Sequence, residues 1–474
     1  MTFSYAKGIF INMKLFNTLS MQKEEFVPIT PNEVKIYACG PTVYNYFHLG
    51  NARPFIIFDT LRKYFEYKGY KVTFVQNFTD IDDKMINRAN EENITVKQLA
   101  DRFIKEYFTD AKGLSVCEAS HHPRATEVVP EIIDMVEKLI NKGFAYEVNG
   151  DVYFSTKKFS KYGKLSHQPL EDLEAGARIN VSEIKNDPMD FAVWKSKKEG
   201  EPFWLSPWGE GRPGWHIECS AMANKFLGET IDIHCGGKDL AFPHHENEIA
   251  QSEAANGKTF ANYWVHNGYI NIDNKKMSKS LNNFFTVRDL SQKFSYDVIR
   301  FFMLSAHYRS PINFSDELLK SAETGLSRIT NCIENLEFLI DKLENGSLSA
   351  ELKGTIDAYK AKFIGAMDDD LNTAESIGFI FELVREINTT LKGDTCEEYV
   401  RYALSVLKEL TGVLNIAKIS ESEVNAANIE ELIAERAQAK KDKNFDLADE
   451  IRNRLLDMGI LIEDTREGVK WKKV

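Results

Sequence analysis

Residues 34–79 read VKIYACGPTVYNYFHLGNARPFIIFDTLRKYFEYKGYKVTFVQNFT. The stretch 34–40 is apolar and stops at Gly-Pro, which predicts a short buried strand. Apolar residues then recur at helical spacing over 52–68 and end at Gly69. KVTFVQNFT, 71–79, predicts the next strand. Strand, helix, strand in that order indicates a right-handed βαβ unit and a parallel sheet.

Outward from this unit, helices are predicted around 95–112 and 127–142, then a hairpin in FAYEVNGDVYFS with Asn149-Gly150 at its turn. Residues 157–212 are rich in Lys, Glu, Pro and Gly and read as an irregular insertion. The α/β pattern resumes with a helix near 215–227, a strand at 231–237 and a helix from about 242. From about 315 the texture changes. Amphipathic segments at 316–344, 355–366, 373–391 and 397–416 follow one another with few strand signals, as in an antiparallel bundle. A polar stretch at 417–427 suits a linker, and the last part predicts two charged helices and a hairpin, ILIED and VKWKK, around Gly468.

With 474 residues, several domains are expected rather than one core. A hydrophobic content of 43% with 27% charged residues is ordinary for a globular protein. No run of about 18 apolar residues predicts a membrane span. Six scattered cysteines do not form a disulfide framework, and no export signal opens the chain, so the reducing cytoplasm is the expected location. Met13 is a second candidate start. A net charge of −12 speaks against a polyanionic partner taken alone, yet local lysine clusters at 195–198, 440–443 and 470–473 leave room for one.

Three motifs carry chemistry. The first is Cys39-Gly-Pro-Thr-Val-Tyr-Asn-Tyr-Phe-His48-Leu-Gly-Asn51, between strand and helix. A glycine at such a corner lets the backbone approach a ligand, and a helix N-terminus offers N–H groups to phosphates. Alone, His48 reads as a helix cap. The second is Lys276-Met277-Ser278-Lys279-Ser280, a polar loop whose two lysines suit charge developing on a triphosphate. Alone, it reads as a solvated loop. Third come Cys219, in GWHIECSAM, and Phe-Pro-His244-His245-Glu246-Asn247-Glu248. On a helix, His244 and Glu248 share a face. With Cys39 they supply two thiolates, an imidazole and a carboxylate, which match zinc in type and number. Separated cysteines are otherwise core residues. A zincin reading fails, because Ile249 stands where HExxH needs its second His.

HLGN followed by KMSKS resembles the paired signatures of class I aminoacyl-tRNA synthetases. Together with the Cys39, Cys219 and GG-x-D-L-x-FPHHENE segments, the pattern resembles the cysteinyl-tRNA synthetases over almost the whole chain. The resemblance implies an α/β fold: a Rossmann-like parallel-sheet catalytic domain with an insertion, a C-terminal α-helical bundle and a small α+β tail. It places the catalytic domain at 1–125 and 213–275, a connective insertion at 126–212 and the KMSKS loop with a stem-contact region at 276–315. The bundle takes 316–416 and an anticodon-binding domain 425–474.

The same resemblance implies one Zn2+ on Cys39, Cys219, His244 and Glu248, and ATP with Mg2+ near His48, Asn51, Lys276 and Lys279. It puts Thr79, Trp215, His234 and Asp239 around the substrate. Cys235 follows His234 where the family commonly has glycine, which raises the question of a spare thiol for the metal. Trp471, among lysines, is the candidate for stacking on a tRNA base. The implied activity is a cysteine–tRNA ligase. It activates L-cysteine as an adenylate, esterifies it to tRNA(Cys) and releases AMP and pyrophosphate, as a cytoplasmic monomer with no membrane partner. Two rivals are a synthetase-derived ligase joining cysteine to a small amine, which would lack the tail, and a non-catalytic zinc-stabilised RNA-binding protein, which would leave HLGN and KMSKS without purpose.

Overall fold

The computed structural model describes residues 13–167, 185–272, 275–276, 285–340, 342–393, 395–418, 426–457, 460–465 and 468–473. At its centre lies a four-stranded parallel sheet in the order Ala261–Asn267, Ile231–Gly237, Glu33–Ala38, Lys71–Gln76. Strand Ile231–Gly237 is buried along almost its whole length, as expected where helices cover both faces of a parallel sheet. Helices Leu49–Tyr67 and Trp215–Leu227 both pack on the sheet.

From Glu33–Ala38 the chain steps through helix Leu49–Tyr67 to Lys71–Gln76 on one side, and later returns to lay Ile231–Gly237 on the other. Strand order therefore reverses between Glu33–Ala38 and Ile231–Gly237. In open parallel sheets, ligands bind beyond the carboxyl ends of the strands at such a switch. Cys39 directly follows the first of these strands, and His234 lies at the middle of the second.

The βαβ unit, the hairpin Ala145–Val148/Asp151–Phe154, and the helices at Val96–Gly113, Val129–Asn141 and Trp215–Leu227 lie where the sequence predicts them. The irregular reading of 157–212 needs correction. Strands Phe191–Ser196, Trp204–Ser206 and Gly209–Pro213 join the hairpin in a five-stranded antiparallel sheet. Its inner strand Gly209–Pro213, GEGRP, has no apolar alternation to betray it. Arg212 is instead buried there through ion pairs with Glu201 and Asp83. Residues 168–184 lie outside the described residues. A helix at Asp83–Glu91, capped by Asp82, and a hairpin Lys14–Asn17/Gln22–Glu25 were not foreseen.

The later helices run Asp316–Leu339, Ala350–Asp368, Thr373–Thr390 and Glu397–Leu414. The described chain divides into two compact units, one extending to Gly325 and including Lys362–Gly378 and Gly412–Ile416, the other holding Leu326–Ala361, Phe379–Thr411 and the residues from Ala417 onward. In the second unit, helices Ala426–Lys441 and Phe445–Asp457 pack with the hairpin Ile460–Thr465/Gly468–Lys473 around Ile429, Leu432, Ile451, Leu455 and Ile462. Arg436 grips Asp464 with both Nη atoms, at 2.8 and 3.0 Å.

In the first unit, helix Leu49–Tyr67 is anchored at mid-length by a buried ion pair. Asp59 accepts from Arg300 Nη2 at 2.8 Å and from the Cys117 N–H at 2.9 Å. Arg300, fully buried, also donates to the carbonyls of Leu414 and Leu114 at 2.8 and 3.0 Å. Removing one partner of such a pair strands a buried charge. Arg300→Met should therefore destabilise this unit by about 3–5 kcal/mol, read as a lower midpoint in urea unfolding; an unshifted midpoint would refute the anchor.

Candidate metal and nucleotide site

Four side chains from three separate segments meet at the switch point. Cys39 stands at the end of strand Glu33–Ala38, Cys219 in the first turns of helix Trp215–Leu227, His244 on the turn that enters helix Glu246–Asn256 and Glu248 in the first turn of that helix. The corner after Cys39 is tight because Gly40 crosses the neighbouring chain. A Cβ there would lie 1.6 Å from the Asn77 carbonyl oxygen, so only glycine fits.

The donor atoms are spaced as the edges of a small polyhedron. Cys39 Sγ lies 4.0 Å from Cys219 Sγ and 3.6 Å from Glu248 Oε1. Cys219 Sγ lies 3.6 Å from His244 Nε2, which is 3.1 Å from Glu248 Oε1. Zinc bonds of ~2.0–2.3 Å arranged tetrahedrally imply edges of roughly 3.3–3.8 Å. The four residues fit such an ion in donor type and number, and their spacings come within about 0.2 Å of those edges.

The charges of the cluster point the same way. Burial pushes the Glu248 carboxyl up, but His234 and His244 beside it override this and bring it down to about 2. Burial likewise opposes protonation of His244, yet Glu248 and Cys219 raise it to about 10. A hydrogen bond from Cys39 lowers Cys219 to about 6, while burial and the neighbouring Cys219 push Cys39 well above the usual thiol range. The pocket thus gathers negative charge around His244, which suits a bound cation.

Further residues orient the donors. His244 Nδ1 meets His216 Nδ1 at 2.9 Å, and Glu248 Oε2 meets His234 Nε2 at 2.9 Å. His245, foreseen only as part of the HHENE run, brings Nε2 within 3.3 Å of Cys39 Sγ, and its Nδ1 meets His266 Nε2 at 2.8 Å. His266 in turn meets Thr18 Oγ1 at 2.8 Å. Cys39, His234, His245 and Glu248 form a second possible ligand group. The set with two thiols suits zinc better, since soft thiolate donors select it. Cys235 belongs to neither group. Its Sγ faces the Tyr37 carbonyl at 3.4 Å, so the spare thiol points away from the cluster.

Sequence reasoning missed His216, His245, His266 and Glu218. His266 ends strand Ala261–Asn267, and the rule that ligands gather at strand carboxyl ends could have found it.

Around the cluster, Trp215 is 44% exposed with its ring 4.4 Å from that of His244. His234 is fully buried and stacks on Trp264. Buried Thr79 donates to Glu218 Oε2 at 3.2 Å; burial, with Cys219 and Asp80 nearby, pushes the Glu218 carboxyl well above its usual range. Asp239 is exposed on the turn just beyond strand Ile231–Gly237. His48 caps helix Leu49–Tyr67, its Nδ1 accepting the Asn51 N–H at 3.2 Å, and Asn51 sits in the first turn. Lys276 belongs to the short strand Lys275–Lys276, whose backbone pairs with Asn271 and Ile272. Lys279 lies outside the described residues. In the tail, Trp471 packs against the small core and donates to Glu430 Oε1 at 3.4 Å.

Comparison with known proteins supplies the family. Residues 25–324 match the class I (C) tRNA synthetase catalytic domain, 362–418 a DALR domain and 425–471 the cysteinyl-tRNA ligase anticodon binding domain. The cysteine–tRNA ligase of Clostridioides difficile (strain 630) is 59% identical over 465 residues, covering 98% of this chain and all of that protein. Two solved structures share the fold at low identity. Mycobacterium tuberculosis methionyl-tRNA synthetase in complex with methionyl-adenylate has a TM-score of 0.60 at 16% identity, covering 81% of this chain and 90% of that one. A putative arginyl-tRNA synthetase from Campylobacter jejuni has a TM-score of 0.58 at 11% identity, covering 81% and 93%. With three segments matched in order and a full-length likeness this high, the chain belongs to the cysteine–tRNA ligases, enzymes of the class I aminoacyl-tRNA synthetase family.

Proposed function

We propose that this ligase selects L-cysteine through a zinc ion held by Cys39, Cys219, His244 and Glu248. On this reading it activates the amino acid with ATP and Mg2+ as an adenylate, and then transfers it to the 3′-terminal ribose of tRNA(Cys). The observation that carries the reading is the convergence of two thiols, an imidazole and a carboxylate at spacings that suit one tetrahedral ion. Zinc bound there supplies a thiophilic centre that prefers the sulfur of cysteine to the oxygen of serine. Packing alone separates such near-isosteres by only ~1–3 kcal/mol.

The chain's own residues do the rest. Trp215, beside His244, walls the side-chain pocket, and His234 keeps Glu248 in place from below. Thr79 and Asp239 stand at the strand ends where the amine or ribose would lie. The cysteine carboxylate attacks the α-phosphate in line and pyrophosphate leaves; the terminal ribose hydroxyl of tRNA then attacks the adenylate. His48, Asn51, Lys276 and Lys279 hold the phosphates and stabilise the charge that develops there. No side chain acts as a nucleophile, so catalysis is positioning plus electrostatics. The tail from 425, Trp471 included, reads the tRNA. No helix among the described residues is long and apolar enough to cross a membrane, and the enzyme is proposed to act as a cytoplasmic monomer.

Three measurements check this reading. His216→Ala keeps all four donors but removes the contact that orients His244; zinc affinity by chelator competition should weaken by about 10–100-fold, and unchanged affinity would speak against His244 as a ligand. Lys279→Ala should cut cysteine-dependent ATP–pyrophosphate exchange strongly and leave zinc content as it was; full exchange would remove this lysine from activation. Deleting 425–474 should raise the tRNA KM far more than the cysteine KM, and equal tRNA kinetics would rule out RNA reading by the tail.

A further inference from the structure

Arg53 follows the HLGN motif by two positions and is fully buried. It makes no ion pair among the described residues. Its Nη1 donates instead to the carbonyls of Gly268 and Tyr269, both at 2.9 Å, and its Nη2 to those of His307 and Ser310, at 3.2 and 2.7 Å. Burial pulls the guanidinium down to about 10, which still leaves it protonated at neutral pH. A buried cation without a carboxylate is costly unless dipoles replace its water. Four carbonyls do so here, and only the planar fork of arginine reaches two chain segments at once.

Those segments lead into the small sheet that carries the start of KMSKS. Gly268 and Tyr269 precede strand Ile270–Ile272, which pairs with Lys275–Lys276 on one side and Ile312–Phe314 on the other. His307 and Ser310 precede Ile312–Phe314. The two approaches are pressed together: the Gly268 N–H donates to the Tyr308 carbonyl at 2.8 Å, and the Ile312 N–H to the Tyr269 carbonyl at 3.0 Å. A Cβ on Gly268 would lie 2.6 Å from the Arg309 carbonyl oxygen and 2.7 Å from that of Ser310. The residues after the motif are tied to the same corner. The Leu49 N–H donates to the Phe285 carbonyl at 3.1 Å, and the Val287 N–H to the Phe47 carbonyl at 3.2 Å.

We propose that Arg53 is a positioning residue for cysteine activation. By gathering the carbonyls of Gly268, Tyr269, His307 and Ser310, it sets the distance between the HLGN helix and the strand that bears Lys276. The inference rests on the assignment of the KMSKS lysines to ATP made above. A misplacement of about 1 Å costs on the order of 100-fold in a reaction that depends on alignment. A role in folding alone would yield fewer active molecules with ordinary kinetics.

The test uses the full-length enzyme, with pyrophosphate exchange normalised to active sites titrated by adenylate formation. Arg53→Lys, which keeps the charge but loses the fork, should lower kcat or raise the ATP KM by about tenfold, with the cysteine KM and zinc content unchanged. Gly268→Ala, which disturbs the same junction without touching Arg53, should reproduce the ATP-side defect. In a Lys276→Ala background the cost of Arg53→Lys should shrink, because coupled residues are not additive. Normal kcat and ATP KM per active site in both variants, or an equal rise in the cysteine KM, would overturn the proposal, as would an undiminished cost in the Lys276→Ala background. An unchanged exchange rate in Lys276→Ala alone would instead overturn the lysine assignment, and this inference with it.

Discussion

Glu248 is a fully buried carboxylate with both oxygens committed, one to His244 and Cys39, the other to His234. Burying such a charge costs several kcal/mol unless partners offset it. Those partners come from strands and helices far apart in sequence, so the site exists only when the parallel sheet has assembled. The switch in strand order between Glu33–Ala38 and Ile231–Gly237 opens the crevice, and the turn before helix Glu246–Asn256, with that helix's first turn, brings His244 and Glu248 into it. Fold and site thus share one constraint: a buried set of acidic and thiol groups whose charge must be offset, on the proposed reading by a cation.

On the proposed reading, selection and activation sit on neighbouring walls of the same crevice. There the thiol-rich wall would recognise sulfur, where shape discrimination would be weak. The neighbouring wall, built on helix Leu49–Tyr67, carries His48 and Asn51 at its start and Arg53 one turn on, so a single rigid element would organise the nucleotide side. Asp59 and Arg300 anchor that element further along. A site built on helices and strands rather than free loops holds its geometry without substrate.

Much of this was legible in the residues. Apolar strands ending at Gly-Pro, and a helix with regular 3.6 spacing, give the βαβ core directly, because both depend on local pattern. The four donors that converge were legible through residue type, since two cysteines with HHENE have few other uses together. The histidines that orient those donors were not. His216 and His245 are single residues whose role appears only once three segments meet, and nothing local distinguishes them from core or cap histidines; His266 had only its place near a strand's carboxyl end to mark it. The strand Gly209–Pro213 escaped for a related reason: its burial rests on Arg212 paired with Glu201 and Asp83, not on alternating apolar side chains. Arg53 looked like an ordinary helix arginine, and its four carbonyl partners lie more than 200 positions away.

The most direct measurement compares cysteine and serine in pyrophosphate exchange on metal-analysed enzyme, before and after stripping with a chelator. Selection through the metal predicts one zinc per active chain and a preference for cysteine well beyond the ~10–200-fold that packing can give. It further predicts loss of cysteine exchange on stripping and recovery with added zinc. Full cysteine exchange with serine still excluded, in protein free of stoichiometric zinc, would contradict it.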